Sequence, residues 1–163
     1  MVEIVSVVNE GLGHSSHVVG LGDDTALVID PARLPDRQRR LVAERGWRIA
    51  CSADTHSHAD YISGSPDLAA DGAVFLAPAR ARLEHRHRGV EPAEELELAD
   101  GLMLRAIATP GHTPEHLSYL LVESGAPVAL FSGGSLMVGT VGRTDLLGDE
   151  HREELAAALF RAL

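Results

Sequence analysis

The chain has 163 residues, 45% of them hydrophobic, a length that suits one globular domain, residues 1–163, and leaves little room for a second. Its 24 acidic residues against 14 basic ones give a formal charge of −10, and the arginines gather only in "RQRR" and "EHRHRG", so no basic face is offered to nucleic acid. The single cysteine, Cys51, excludes an intramolecular disulfide and ends an apolar run as a buried, inert thiol.

The amino-terminal "MVEIVSVVNEGLGH" is too short for a membrane span and lacks the basic start and cleavage site of a signal peptide, so a cytoplasmic protein without membrane contact is expected. "EIVSVVN", "HSSHVVG" and "TALVID" read as strands, and "GLG" and "GLGDD" between them carry turn chemistry, which predicts a meander. Leu34, Leu41 and Val42, with Trp47 beyond, fit a short amphipathic helix that ends at Gly46. "WRIACSADT" returns to strand character, so strand, helix and strand make a βαβ step with parallel pairing. A short helix over Ser65–Ala70 and a strand "AVFLA" follow, and the charged connector "RARLEHRHRGVEPAEELELAD" receives no assignment. "LMLRAIATP", "LSYLLVE" and "PVALFSGG" read as three further strands, and a helix begins at about Glu150.

Chemistry concentrates in "THSHADYISG", at the carboxyl end of the second βαβ strand, where open α/β sheets place their ligands. His56, His58 and Asp60 share parity, so an extended segment projects all three to one side at intervals of roughly 6 to 7 Å. Two imidazoles and a carboxylate can converge on a cation, and zinc sites commonly use three protein ligands with one position open. "ATPGHTPEH" offers a third imidazole, His112, in a turn fixed by Pro110, Gly111 and Pro114 directly after an apolar strand. His116 reads as structural support for that set. His14 and His17 read as surface strand residues, and His85 and His87 belong to a solvated, arginine-rich connector that opposes cation binding.

Taken in order, "THSHADY", "TPGHTPEHLSYLL" and "FSGGSLMVGTVGRTDLLG", with "LVIDP" near Ile29, resemble the metallo-β-lactamase fold on its glyoxalase II and persulfide dioxygenase side, including a branch often fused to rhodanese domains. The resemblance runs from about Ser6 to the last residue and implies an αββα sandwich with a metal at one edge of the two sheets. Residue by residue it implies first-metal ligation by His56, His58 and His112. Asp60 matches a second-metal ligand, or a base that orients the bound water.

Three departures stand against the resemblance. Tyr61 occupies the place of a second-metal histidine, and a phenol with a pKa of about 10 is a poor ligand near neutrality. Gly134 stands where the family has a metal-binding aspartate, and Leu163 precedes the late "HG" segment that supplies a further histidine. The expectation is one zinc or iron ion on three imidazoles rather than a dinuclear centre. Arg143 and Tyr61 are candidate contacts for a substrate. An Arg fork matches a carboxylate, although an internal Arg143 to Asp145 link is the competing reading.

Leu155, Leu159, Phe160 and Leu163 predict an apolar helical face at the end of the chain. The second half of the sandwich is expected to be incomplete, with an exposed strand edge that favours a homo-oligomer or a rhodanese-type partner. Two functional expectations follow. One is metal-dependent hydrolysis of a thioester, or processing of a thiol or persulfide substrate. The other is a non-catalytic module of the same fold that acts by binding a sulfurtransferase domain.

Overall fold

A computed structural model describes residues 2–11, 13–59 and 61–163. Strands β1 (Ile4–Asn9), β2 (His14–Gly20) and β3 (Thr25–Ile29) form the expected antiparallel meander. Helix α1 (Asp36–Glu44) crosses to β4 (Arg48–Ala53), which pairs parallel with β3, so the βαβ step is present. Helix α2 (Ser65–Ala70) leads to β5 (Val74–Pro78), and β6 (Arg88–Val90) completes a six-stranded sheet in sequential order.

The second sheet contains β7 (Glu95–Ala99), β8 (Leu102–Ala108), β9 (Leu117–Glu123) and β10 (Ala126–Phe131), all antiparallel, with β10 and β7 at its edges. A small ribbon of β11 (Leu136–Met137) and β12 (Thr140–Val141) precedes helix α3 (Asp149–Ala162). No helix among the described residues is long and apolar enough to cross a membrane.

The pleat sorts the core into two layers. On β3, Leu27 and Ile29 face the second sheet and meet Leu104, Leu117, Tyr119 and Leu121, whereas Ala26 and Val28 face the helices beside Val42 and Leu68. Both faces of β3 are therefore covered, which is why its five residues read as a continuous apolar run rather than an alternating one. Each fully buried Leu or Ile in these layers contributes about 1.5–3 kcal/mol of hydrophobic stabilisation.

The charged connector, which received no assignment, contains β6 and β7, and "ELELA" alternates leucine with glutamate because only one face of edge strand β7 is buried. Two expectations need correction. Leu34, expected on the first helix, precedes α1 with φ +58° and is 68% exposed, because Pro35 and Asp36 start the helix after it. Of the four apolar residues expected on one helical face, Leu155 and Leu159 are buried, while Phe160 is 85% exposed and Leu163 57% exposed. At 100° per residue Phe160 turns well away from Leu155, and Leu163 lies a full turn beyond the contact. The contact itself is a tight one: a Cβ on Gly111 would lie 2.9 Å from the Leu155 carbonyl oxygen and 3.0 Å from Leu159 Cα. Gly111 has φ +145°, so both conformation and space there require glycine.

Candidate metal centre

The functional residues gather where several strands end on one side of the sandwich. Ile29 and Ala53 are register partners on parallel β3 and β4, so Asp30 and Asp54 leave the first sheet side by side. From the second sheet, Ala108 faces Leu117, making Thr109 to His116 the loop of the β8–β9 hairpin. The two sheets are tied at this point, because the Leu117 N–H donates to the Thr55 carbonyl at 2.8 Å. The Ser57 N–H likewise donates to Glu115 Oε1 at 2.9 Å, which pins the first histidine loop to the hairpin.

Three imidazoles converge here. His56 lies 4.2 Å from His58 and 4.8 Å from His112, centroid to centroid, both edge to face. The segment that carries His56 and His58 is a bend and not an extended strand, so convergence comes from the turn and from hydrogen bonds. Asp60 lies outside the described residues.

Hydrogen bonds assign the tautomers of His56 and His112. Asp30 accepts from the Thr55 N–H at 2.7 Å and from Thr55 Oγ1 at 2.8 Å, so the threonine hydroxyl has spent its proton. Thr55 Oγ1 therefore accepts the Nδ1–H of His56, 2.8 Å away, and the lone pair falls on His56 Nε2. That nitrogen is buried and has no hydrogen-bond partner among the described residues. His112 Nδ1–H donates to the Arg143 carbonyl at 3.0 Å, again leaving Nε2 as the lone pair. His58 Nε2 faces Asp30 Oδ1 at 3.3 Å and the Tyr61 hydroxyl at 2.9 Å.

The electrostatics agree with neutral donors. Burial first, and then the neighbouring His58, push the His56 imidazole down to about 2. For Asp30, burial works to raise the carboxyl, yet the bond and charge of His58, the charge of His56 and the Thr55 N–H together hold it well below the usual carboxylate range. An ionised Asp30 tied through Thr55 to a neutral His56 is the arrangement in which carboxylates orient metal-bound histidines. The orphaned His56 nitrogen, flanked by the His58 and His112 rings, fits a borderline divalent cation such as zinc or iron.

His116 is held differently. Its Nε2 accepts the Gly134 N–H at 3.1 Å, and its Nδ1–H donates to Thr109 Oγ1 at 2.8 Å. From there the chain of hydroxyls continues through Ser118 and Ser135 to the Ser132 carbonyl. With both nitrogens engaged and burial pushing it down to about 4, His116 is a neutral strut between the hairpin and the glycine turn.

Asp30, Asp54 and His58 also present ligand atoms within 4.8 Å of one another. Asp30 already accepts from Thr55 through both oxygens, and Asp54 accepts from Ser65 Oγ at 2.7 Å while burial pushes its carboxyl up to about 6. Asp30 thus supports the histidine loop through Thr55, and Asp54 is tied to the start of α2.

The two candidate substrate contacts have other occupations. Arg143 makes a two-point contact with Asp145, at 2.6 Å and 3.0 Å, so its guanidinium is engaged within its own loop and its backbone carbonyl is what serves His112. Tyr61 packs between His14, at 4.0 Å, and His58, at 4.1 Å, with its hydroxyl 2.9 Å from His58 Nε2. His14, expected at the surface, thus belongs to the site and donates from Nε2 to the Asp30 carbonyl at 2.8 Å. His85 and His87 stay on the β5–β6 connector, His87 bonded to the His85 carbonyl.

The glycine turn after β10 closes the remaining side. A Cβ on Gly134 would lie 2.8 Å from His112 Nε2, and one on Gly133 would lie 2.9 Å from His116 Nε2. The His112 ring itself occupies the space in which the Cβ of an aspartate at position 134 would stand.

No family model matches the chain. A metallo-β-lactamase from Staphylococcus aureus superposes with a TM-score of 0.90 at 29% identity, covering 99% of this chain and 50% of that one. The chain has the metallo-β-lactamase fold. The ETHE1 protein of Myxococcus xanthus follows with a TM-score of 0.83 at 28% identity, covering 99% of this chain and 69% of that one. In sequence, the hydroxyacylglutathione hydrolase of Nitrosococcus oceani is 35% identical over 128 residues, 76% of this chain and 47% of the relative. The chain thus spans about half the length of the curated relatives it matches. Asp30 is the residue sequence reasoning passed over: "LVIDP" was visible as a motif, but its role depends on β3 lying beside β4.

Proposed function

We propose that this protein binds one zinc or iron ion through His56 Nε2, His58 Nδ1 and His112 Nε2 and serves hydrolysis of a thioester of a glutathione-like thiol. The buried, unpartnered Nε2 of His56 carries the reading, because a polar nitrogen in that position is costly unless a cation or water completes it. When bound, such an ion supplies Lewis-acid polarisation of a carbonyl and lowers the pKa of water. Asp30 and Thr55 fix His56 in its ligating tautomer, the Arg143 carbonyl does the same for His112, and Asp30 faces His58 Nε2. Asp60 is assigned as the base that orients the attacking water. The similarity to hydroxyacylglutathione hydrolases supports the thioester, and the similarity to ETHE1 keeps a glutathione persulfide as the competing substrate.

A single ion is favoured because two second-ion positions are filled by this chain's own atoms. Tyr61 is packed into the His14 and His58 stack, and the Gly134 backbone lies against His112. The test is elemental analysis of protein purified without chelator or affinity histidines, beside a His56→Ala, His112→Ala double variant. About one ion per chain, lost in the variant, with turnover of S-acyl glutathione, is the expected result. Metal that is substoichiometric and indifferent to the variant overturns the reading.

A second reading, a binding module for a second copy or a sulfurtransferase domain, is favoured by the β10 edge, where Val128 is 45% and Leu130 50% exposed. It predicts association that survives His112→Ala.

A further inference from the structure

Asp30 alone is a loose guide for His58. Its Oδ1 already takes the Thr55 N–H at 2.7 Å, and its 3.3 Å separation from His58 Nε2 lies beyond the ordinary N–H···O range. The nearer atom is the Tyr61 hydroxyl, at 2.9 Å from the same nitrogen. The phenol is itself immobilised: its ring stacks on His58 with planes 28° apart, and the His14 ring, anchored to the Asp30 carbonyl, braces its other contact.

We propose that Tyr61 is a positioning residue of the metal centre, whose hydroxyl oxygen shares the His58 Nε2 proton with Asp30 and so keeps Nδ1 as the ring's lone pair. The inference rests on the metal-binding reading above. It gives the tyrosine a role that is neither ligand nor substrate contact. In the opposite polarity, with the phenol donating to Nε2, the proton would sit on Nδ1 and His58 could not ligate without a tautomer change. The direction of this one hydrogen bond therefore decides whether the third donor is preset. Asp30 favours the Nε2–H form, because it accepts from Thr55 through both oxygens and faces the same nitrogen as a further acceptor.

The experiment is a cobalt(II) titration of the whole chain, followed by visible absorption, for the wild type, Tyr61→Phe and Tyr61→Gln. Thermal melting checks that each is folded. Phenylalanine keeps the ring stack and removes the oxygen; glutamine returns an acceptor without the ring. The expected result is one cobalt per chain throughout, about tenfold weaker in Tyr61→Phe with an altered visible band, and tighter again in Tyr61→Gln. Nitrogen-15 spectra of the metal-free wild type should show His58 as the Nε2–H tautomer, a measurement independent of how any variant folds. Unchanged affinity and spectrum in Tyr61→Phe, or His58 found as the Nδ1–H tautomer, overturns the inference while leaving the three-histidine site intact. A folded wild type that takes up no cobalt overturns both.

Discussion

The two walls of the centre are built by opposite means. The first, at the ends of β3 and β4, is a stack of side chains in which Asp30, Thr55 and His56 hand one hydrogen bond to the next, all of them buried. The second, formed by the β8–β9 hairpin and the turn after β10, is shaped by missing side chains: Gly111, Gly133, Gly134 and Gly142 each lie against a neighbour that a Cβ would meet. His112 on that wall takes its orientation from a backbone carbonyl rather than a carboxylate. A charged network concentrates its strength in one residue, whereas a glycine wall depends on close approach everywhere. The first should fail by subtraction and the second by addition.

The largest effect is therefore expected from Asp30→Ala. It strands the Thr55 N–H and hydroxyl in a buried layer, where each unsatisfied donor costs about 1–3 kcal/mol. Urea denaturation should show that loss together with loss of metal uptake. Near wild-type stability would mean that the first wall is not held by its carboxylate.

Gly134→Asp sharpens the comparison from the other side. If the aspartate were merely absent, restoring it would add a second ion. Here its Cβ would lie 2.8 Å from His112 Nε2 and 2.9 Å from Cγ, so the ring must move. Overpacking of this kind costs about 1–3 kcal/mol, and the variant should hold less than the wild-type single ion by elemental analysis. Two ions per chain would show that the glycine turn is open rather than closed.

Much of this contrast was present in the sequence, but unevenly. The meander, the βαβ step and three strands of the second sheet follow from short apolar runs and one amphipathic helix bounded by glycine and proline, because those signals are local. The imidazole cluster was legible from spacing and order. Asp30 was not, since its partners are 25 and 28 positions away in sequence and meet it only across paired strands. His14 was missed for a similar reason, being contacted by Tyr61 from a different segment. At Gly134 the sequence shows a ligand missing, but not that the His112 ring lies where its Cβ would be.

Cys51 gives a reading of how tightly β4, which leads into the first wall, stays closed. Burial pushes its thiol up to about 12, so at pH 8 the folded protein holds essentially no thiolate there. A disulfide reagent should leave the native protein unlabelled over the time in which the urea-unfolded chain reacts fully. Rapid native labelling would mean that β4 opens locally, and Asp30→Ala should accelerate labelling more than Gly134→Asp does.

The smallest effect is expected at Arg143, and it separates side chain from backbone on the second wall. Its guanidinium is solvent-exposed and spends both contacts on Asp145, while the carbonyl that orients His112 belongs to the peptide and survives substitution. Arg143→Ala should therefore leave metal content and thermal stability unchanged, because exposed ion pairs contribute little. A kinetic split is the sensitive measurement. If Arg143 leaves Asp145 to grip a substrate carboxylate, KM for S-acyl glutathione should rise with kcat retained, since only uniform binding is lost. Unchanged KM would confine the residue's contribution to its backbone, and a fall in metal content would show that the Arg143 to Asp145 link holds the loop from which His112 takes its hydrogen bond.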